Sequence, residues 1–112
     1  MYKRGDIVAV KFPFSDFSTG KIRPAVVMSN SLISASDDLI LAMITSKFRS
    51  KDVVVEITDK DTTSKLPKNS FVKCHRITAV DKSLILYKIS SLNTKALNSV
   101  FAKIVSIISP LN

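Results

Sequence analysis

The chain has 112 residues, 46% apolar and 23% charged, with 17 Lys and Arg against 9 Asp and Glu for a net charge of +8. A sequence of this length and balance fits one domain over residues 1–112 with a core of its own, and excludes a disordered or collagen-like chain. So large a basic excess on so small a domain attracts polyanions, nucleic acid first and an acidic protein second, although a merely soluble charged surface is the plainer alternative.

Residues 7–12 form the first expected strand, with Val8, Val10 and Phe12 on one face and Ile7 and Ala9 on the other. Pro13 cannot donate to a ladder and ends it. Residues 14–22 read as a loop rich in Ser, Asp, Thr and Gly. Residues 23–29 read as a short central strand, apolar on both faces. Residues 30–38 are polar and turn-like, with room for one helical turn. Residues 39–45 form another buried strand, and 46–52 a solvated basic loop. Residues 53–57 alternate, with Val53, Val55 and Ile57 inward and Glu56 outward. After a long polar connection over 58–69, residues 70–74 predict a strand that 77–80 either extend or follow. Residues 84–89 suit strand and helix equally. Asn93 can cap a final helix, in which Leu97, Val100, Phe101, Ile104, Val105 and Ile108 form one apolar stripe and which Pro110 stops. Five or six antiparallel strands followed by one amphipathic helix predict an α+β, mainly β fold, either a two-layer domain or a small barrel.

The one cysteine, Cys74, rules out an intrachain disulfide. No apolar run is long enough to span a bilayer, and the charges at Lys3, Arg4 and Asp6 are not followed by the apolar stretch of a secretory signal. The expected location is the cytoplasm, with no membrane partner. No His, Cys or carboxylate cluster has metal-ligand spacing, so no metal or other cofactor is expected.

Three strings carry a resemblance: Lys3-Arg4-Gly5-Asp6-Ile7-Val8, then Arg23-Pro24-Ala25-Val26-Val27-Met28-Ser29, then Leu41-Ala42-Met43-Ile44-Thr45-Ser46. A fourth stretch, Ser70-Phe71-Val72 with Ile77 and Val80-Asp81-Lys82, continues the order. Together they resemble the MazF/PemK toxins of type II toxin–antitoxin systems along nearly the whole chain. The resemblance implies an SH3-like antiparallel barrel (PemK/MazF/CcdB-like) with a C-terminal helix, a homodimer, and a cognate antitoxin with an acidic segment. It implies metal-independent, sequence-specific cleavage of single-stranded RNA, with the family's catalytic Arg and Thr falling on Arg23 and Thr45. Two features depart from the family pattern. The loop before Arg23 is shorter and reads Phe14-Ser15-Asp16-Phe17-Ser18-Thr19-Gly20, and Arg76 stands where many members have Gln.

RNA carries its own nucleophile in the 2′-OH, so a protein that cuts it must align that oxygen with phosphorus and neutralise charge on the phosphate. A guanidinium at Arg23, stiffened by Pro24, suits the second task, though an Arg before a strand is also an ordinary surface residue. A hydroxyl at Thr45 suits orientation, and a strand-end Thr that satisfies a turn looks the same. His75, the only histidine, is a substrate-contact candidate, although a lone His is more often structural. Ser18, Thr19, Lys21, Ser46, Lys47 and Arg76 complete the candidate RNA contacts. Lys47, Arg49 and Lys51 are placed to follow a phosphate backbone or to serve as a plain solvated loop. Phe14 and Phe17 either stack bases or anchor their loop, with the anchor favoured. A non-catalytic module of the same fold, acting on nucleic acid (DNA included) or on a protein as gyrase poisons do, is the alternative function.

Overall fold

The computed structural model describes residues 2–12 and 21–110. The elements run β1 (Asp6–Phe12), β2 (Lys21–Val27), α1 (Ser31–Ser34), β3 (Asp38–Thr45), β4 (Val54–Ile57), β5 (Ser70–Asp81), β6 (Ile85–Ser91) and α2 (Thr94–Ile108), with short 3-10 turns at Asp59–Asp61 and Lys82–Leu84. The strands form a six-stranded antiparallel sheet in the order β4-β5-β3-β2-β1-β6.

Both faces of this sheet are covered, which is why its central strands read as apolar runs rather than clean alternations. On one face Val8, Val10, Phe12, Ala25, Val27, Leu39, Leu41, Val80 and Ile85 close on one another as the sheet coils. On the other, Ile7, Val26, Ala42, Ile44, Val72 and Cys74 meet Ala96, Leu97, Val100 and Ile104 of α2. Each buried aliphatic side chain contributes about 1.5–3 kcal/mol relative to an exposed one. The expected alternation in β1 is thus present, with its two faces in two different halves of the core.

Local chemistry sets the ends of these elements. The Asn93 side chain accepts a bond from Ala96 N at 2.8 Å and starts α2, and the chain turns extended at Ser109, just before Pro110. Asn30 caps the single turn of α1 in the same way, accepting from Leu32 N at 2.9 Å. Gly5 sits at φ +96°, a region that costs L side chains energy, and its N–H bonds Val27 O at 2.7 Å while its carbonyl accepts from Leu92 N at 2.9 Å. A Cβ there would lie 3.2 Å from Leu97 Cδ2, so glycine lets the chain start pass between β2 and α2.

Three expectations are corrected, and one that the sequence left open between strand and helix is decided. The sheet is not a closed barrel: β4 and β6 remain its edges, and the segment after β4 takes the place of a closing strand. Thr63 N bonds Ser91 O at 3.0 Å and Ser64 N bonds Ser90 Oγ at 2.9 Å, so residues 62–64 occupy the β6 edge, with one bridge at Thr62–Leu92. The loop before Arg23 ends earlier than expected, because Lys21 and Ile22 pair with Phe12 and Lys11. Residues 84–89 resolve as strand from Ile85 onward. The apolar stripe of α2 divides: Leu97, Val100 and Ile104 are buried, whereas Phe101, Val105 and Ile108 are exposed. Arg4 lies over the Phe101 ring at 5.3 Å. Most of the apolar side chains of β2 and β3 are covered by the chain itself, whereas Ile22 at the start of β2 and this helix line are exposed among the described residues.

Candidate functional site

Two irregularities in the sheet open one cleft. β2 follows β1 along its whole length, yet pairs with β3 only at Ala25, Val26 and Val27. Pro24 has no N–H to extend that ladder, and residues 21–24 leave the strand end at Ile44 and Thr45 uncovered on this side. In β5, Ala42 faces Ile77 while the next β3 residue, Met43, faces Lys73. Cys74, His75 and Arg76 are therefore unopposed and form a bulge, which re-aims side chains as bulges do. Cys74 turns inward and its N–H bonds Val53 O at 2.8 Å. Burial pushes its thiol above the ordinary range. His75 and Arg76 turn outward.

The cleft has a volume of about 540 Å³. Arg23, Thr45, Lys73, His75, Arg76 and Thr78 line it, above an apolar floor that includes Phe12, Met43 and Ile77. Three fixed cations and an imidazole thus share one concave surface, an arrangement that attracts a phosphate.

One carboxylate organises part of this charge. Asp52, with its side chain 14% exposed, lies 3.6 Å from Lys73 Nζ through Oδ2 and 3.5 Å from His75 Nε2 through Oδ1. The His75 contact is an ion pair whenever the imidazole is protonated. Asp52 Oδ2 also accepts from Arg49 N at 2.8 Å. That backbone bond, helped by Lys73 and His75 and opposed by desolvation, holds the Asp52 carboxyl below the usual carboxylate range. Among the described residues the ion pairs are Lys65–Asp59, Lys73–Asp52, His75–Asp52 and Lys88–Asp6, so Arg23 and Arg76 face the cleft without a carboxylate.

The Thr45 hydroxyl is already engaged. It donates to Lys47 O at 2.6 Å and accepts from Lys47 N at 3.2 Å. This turn fixes the start of the basic loop and leaves one lone pair on Oγ1 for a ligand.

The structure brings Arg23, Thr45, His75 and Arg76 of the expected site together. Ser46 lies in a neighbouring groove of about 430 Å³ that also touches Arg23 and Thr45 and runs past Pro24, Leu66 and Tyr87. Lys47 and Lys21 are exposed and line neither hollow. Ser18, Thr19, Phe14 and Phe17 lie outside the described residues. Sequence reasoning missed Lys73, hidden in an apolar strand, and Asp52, whose only signal was a lone acid closing a basic run. It also missed Phe48, which packs on Phe71 with ring centroids 4.6 Å apart.

A coiled antiparallel sheet with one helix on its outer face and a cationic cleft at a strand splay defines a small α+β protein. Residues 3–108 match the model of the PemK-like, MazF-like toxins of type II toxin–antitoxin systems, and the chain belongs to that family. No curated protein sequence matches. Among solved structures, an endoribonuclease from a mycobacterial species, in complex with its cognate antitoxin, superposes with a TM-score of 0.79 at 14% identity, covering 98% of this chain and 97% of that one. MazF from Deinococcus radiodurans superposes at 0.75 with 19% identity and 96% of each chain covered. The Mycobacterium tuberculosis toxin MazF-mt6 does so at 0.72 with 16% identity, over 90% of this chain and 93% of that one. Among the described residues no helix is long and apolar enough to cross a membrane.

Proposed function

We propose that this toxin is an endoribonuclease that cuts single-stranded RNA at a short sequence, by attack of a 2′-OH on the adjacent phosphorus and without a metal. The observation that carries the reading is the convergence of Arg23, Thr45, His75 and Arg76, from three strands, on one cleft. Arg23 stabilises the charge that builds on the phosphate oxygens. Thr45 orients the ribose or the phosphate through its remaining lone pair. The His75 imidazole accepts the 2′-OH proton, since guanidinium and ammonium groups carry no lone pair and a Thr hydroxyl is too weakly basic. The 2′-oxygen bonds to phosphorus, the bond to the 5′-oxygen breaks, and that oxygen leaves as a hydroxyl with a proton taken from solvent water, to which His75 returns the proton it accepted. The fragments carry 2′,3′-cyclic phosphate and 5′-hydroxyl ends.

The reading extends to three further points. A cognate antitoxin silences the cleft with an acidic segment, in keeping with the antitoxin complexes of the mycobacterial and Deinococcus proteins. The exposed line Phe101, Val105 and Ile108 is the surface on which two copies pair by twofold symmetry. The protein works in the cytoplasm, where its RNA is.

The test is incubation with a long single-stranded RNA in EDTA, followed by analysis of fragment ends. Cyclic-phosphate ends support the reading; intact RNA across varied sequences sinks it. Binding falls steeply with added salt, since each phosphate contact releases about one counterion, and salt-independent binding counts against the cationic cleft. Sedimentation as a monomer at micromolar concentration counts against the dimer.

One observation favours a second reading. The Thr45 hydroxyl is satisfied within its own turn, as in a purely structural strand end. A non-catalytic module that binds nucleic acid or protein through the same cleft has no need of it. RNA that is bound but never cut is the outcome that selects this alternative.

A further inference from the structure

Past Thr45 the chain presents an aromatic ring among cations: Lys47, Phe48, Arg49 and, two residues on, Lys51. Phe48 is 46% exposed, although burying such a ring contributes about 1.5–3 kcal/mol. The ring is not loose. It packs on Phe71 at 4.6 Å with the two planes inclined by 56°. Phe71 is the β5 residue that faces Thr45 in the sheet, so the aromatic pair rests on the same rung as the proposed catalytic hydroxyl.

The loop that carries the ring is clamped at both ends. Thr45 Oγ1 holds Lys47 through bonds to its O and N at 2.6 and 3.2 Å. Arg49 N donates to Asp52 Oδ2 at 2.8 Å, and Asp52 N donates to Arg49 O at 2.9 Å. Asp52 is itself tied to Lys73 and His75 of the cleft wall. A half-exposed ring is thus fixed on a rigid turn between two cations, at most roughly 10 Å of chain from Thr45.

We propose that Phe48 is a stacking platform for one nucleobase of the bound single-stranded RNA, close to the scissile phosphate. Lys47 and Arg49 meet the phosphates on either side of that base. The assignment rests on the RNA-cleaving reading above. Exposed aromatics interleaved with cations are how proteins track a single strand, because every base has a π-face and every nucleotide a charge. The held orientation matters, since a ring already immobilised by Phe71 loses little freedom when a base stacks on it.

The chain has no tryptophan, so F48W places a unique fluorophore at the platform. The probe is a 2′-O-methyl copy of an RNA that the wild type cleaves, which binds without being cut. Quenching of F48W emission as this RNA saturates, and loss of the quenching when one nucleotide near the cleavage point is made abasic, are the expected results. Phe48→Leu is expected to weaken binding about tenfold, a rise in KM with little change in kcat. A wild type that cleaves normally, with F48W emission unmoved by RNA and Phe48→Leu binding as tightly, overturns the platform and leaves the nuclease standing. Emission that responds to the antitoxin and not to RNA also overturns it, assigning the ring to protein docking. A wild type that binds no RNA overturns both together.

Discussion

The β2–β3 pair is one ladder with two different ends. Where Ala25, Val26 and Val27 meet Leu41, Ala42 and Met43, the strands are hydrogen-bonded and their apolar side chains are mostly buried. A few residues further along, Lys21, Ile22 and Arg23 are exposed and Thr45 borders a cleft. The closed end is held by both core layers, and the open end is held mainly by β1. The site therefore lies where pairing stops, and its side chains take their rigidity from strands whose other ends are locked in the core. Substitutions at the open end are expected to change chemistry and spare the fold; at the closed end they do the reverse.

Arg23→Ala makes the sharpest test of that division. It removes a preorganised donor from the developing phosphorane, and cleavage is expected to fall about hundred- to thousandfold, or about 3–4 kcal/mol. Arg23→Lys restores little, because an ammonium lacks the planar fork. Single-turnover cleavage of one RNA, with circular dichroism as the folding control, measures both. Equal rates for wild type and Arg23→Ala would falsify the assignment.

Leu41→Ala probes the closed end. Leu41 is fully buried in the β1–β2–β3 core layer, so truncation is expected to cost about 3 kcal/mol through lost burial and a residual cavity. The check is urea unfolding. Where the variant is still folded, its cleavage rate is expected to match wild type; a rate loss as large as that of Arg23→Ala erases the distinction between the two ends.

The closed end was far more legible in the sequence than the open one. β1 and α2 follow from alternation, from Asn93 and from Pro110, which are local signals. The first two residues of β2, Lys21 and Ile22, fell in the expected loop because they show no apolar alternation, and their strand geometry is imposed by β1. Arg23 and Thr45 were found through family resemblance rather than through any spacing of their own. The bulge at Cys74, His75 and Arg76 depends on the register between β3 and β5, which no local pattern encodes. The Asp52 contacts bring together residues 21 and 23 positions apart, and were invisible for the same reason.

Thr45→Ala is expected to have a smaller effect than either substitution above. It removes the orienting hydroxyl and both bonds to Lys47, and cleavage is expected to fall about tenfold, the worth of one such hydrogen bond. Thr45→Ser keeps the hydroxyl and is expected to recover most of the rate. Equal loss in both variants assigns the effect to the missing methyl group instead.

The smallest expected effect lies at Asp52, which ties the loop to the cleft wall. The Asp52 carboxyl is held below its ordinary range by the Arg49 backbone bond and then by Lys73 and His75. The folded state therefore binds a proton at Asp52 less readily than the unfolded chain does. The sign follows from linkage: the contribution is fully present above the ordinary carboxylate range and is lost as pH falls through the lowered folded value. Asp81, lowered by its bond from Ser83 N at the 3-10 turn, adds a loss of the same sign at a residue that does not line the cleft. Unfolding midpoints in urea, measured from neutral pH down through the carboxylate range, are expected to decline for the wild type and to decline less for Asp52→Asn. Asp81→Asn flattens the same limb without touching cleavage, whereas Asp52→Asn also frees Lys73 and His75 at the cleft wall and is expected to alter the pH dependence of cleavage. If the two variants change the acid limb and the cleavage profile identically, Asp52 acts on stability alone and the link from loop to cleft is absent.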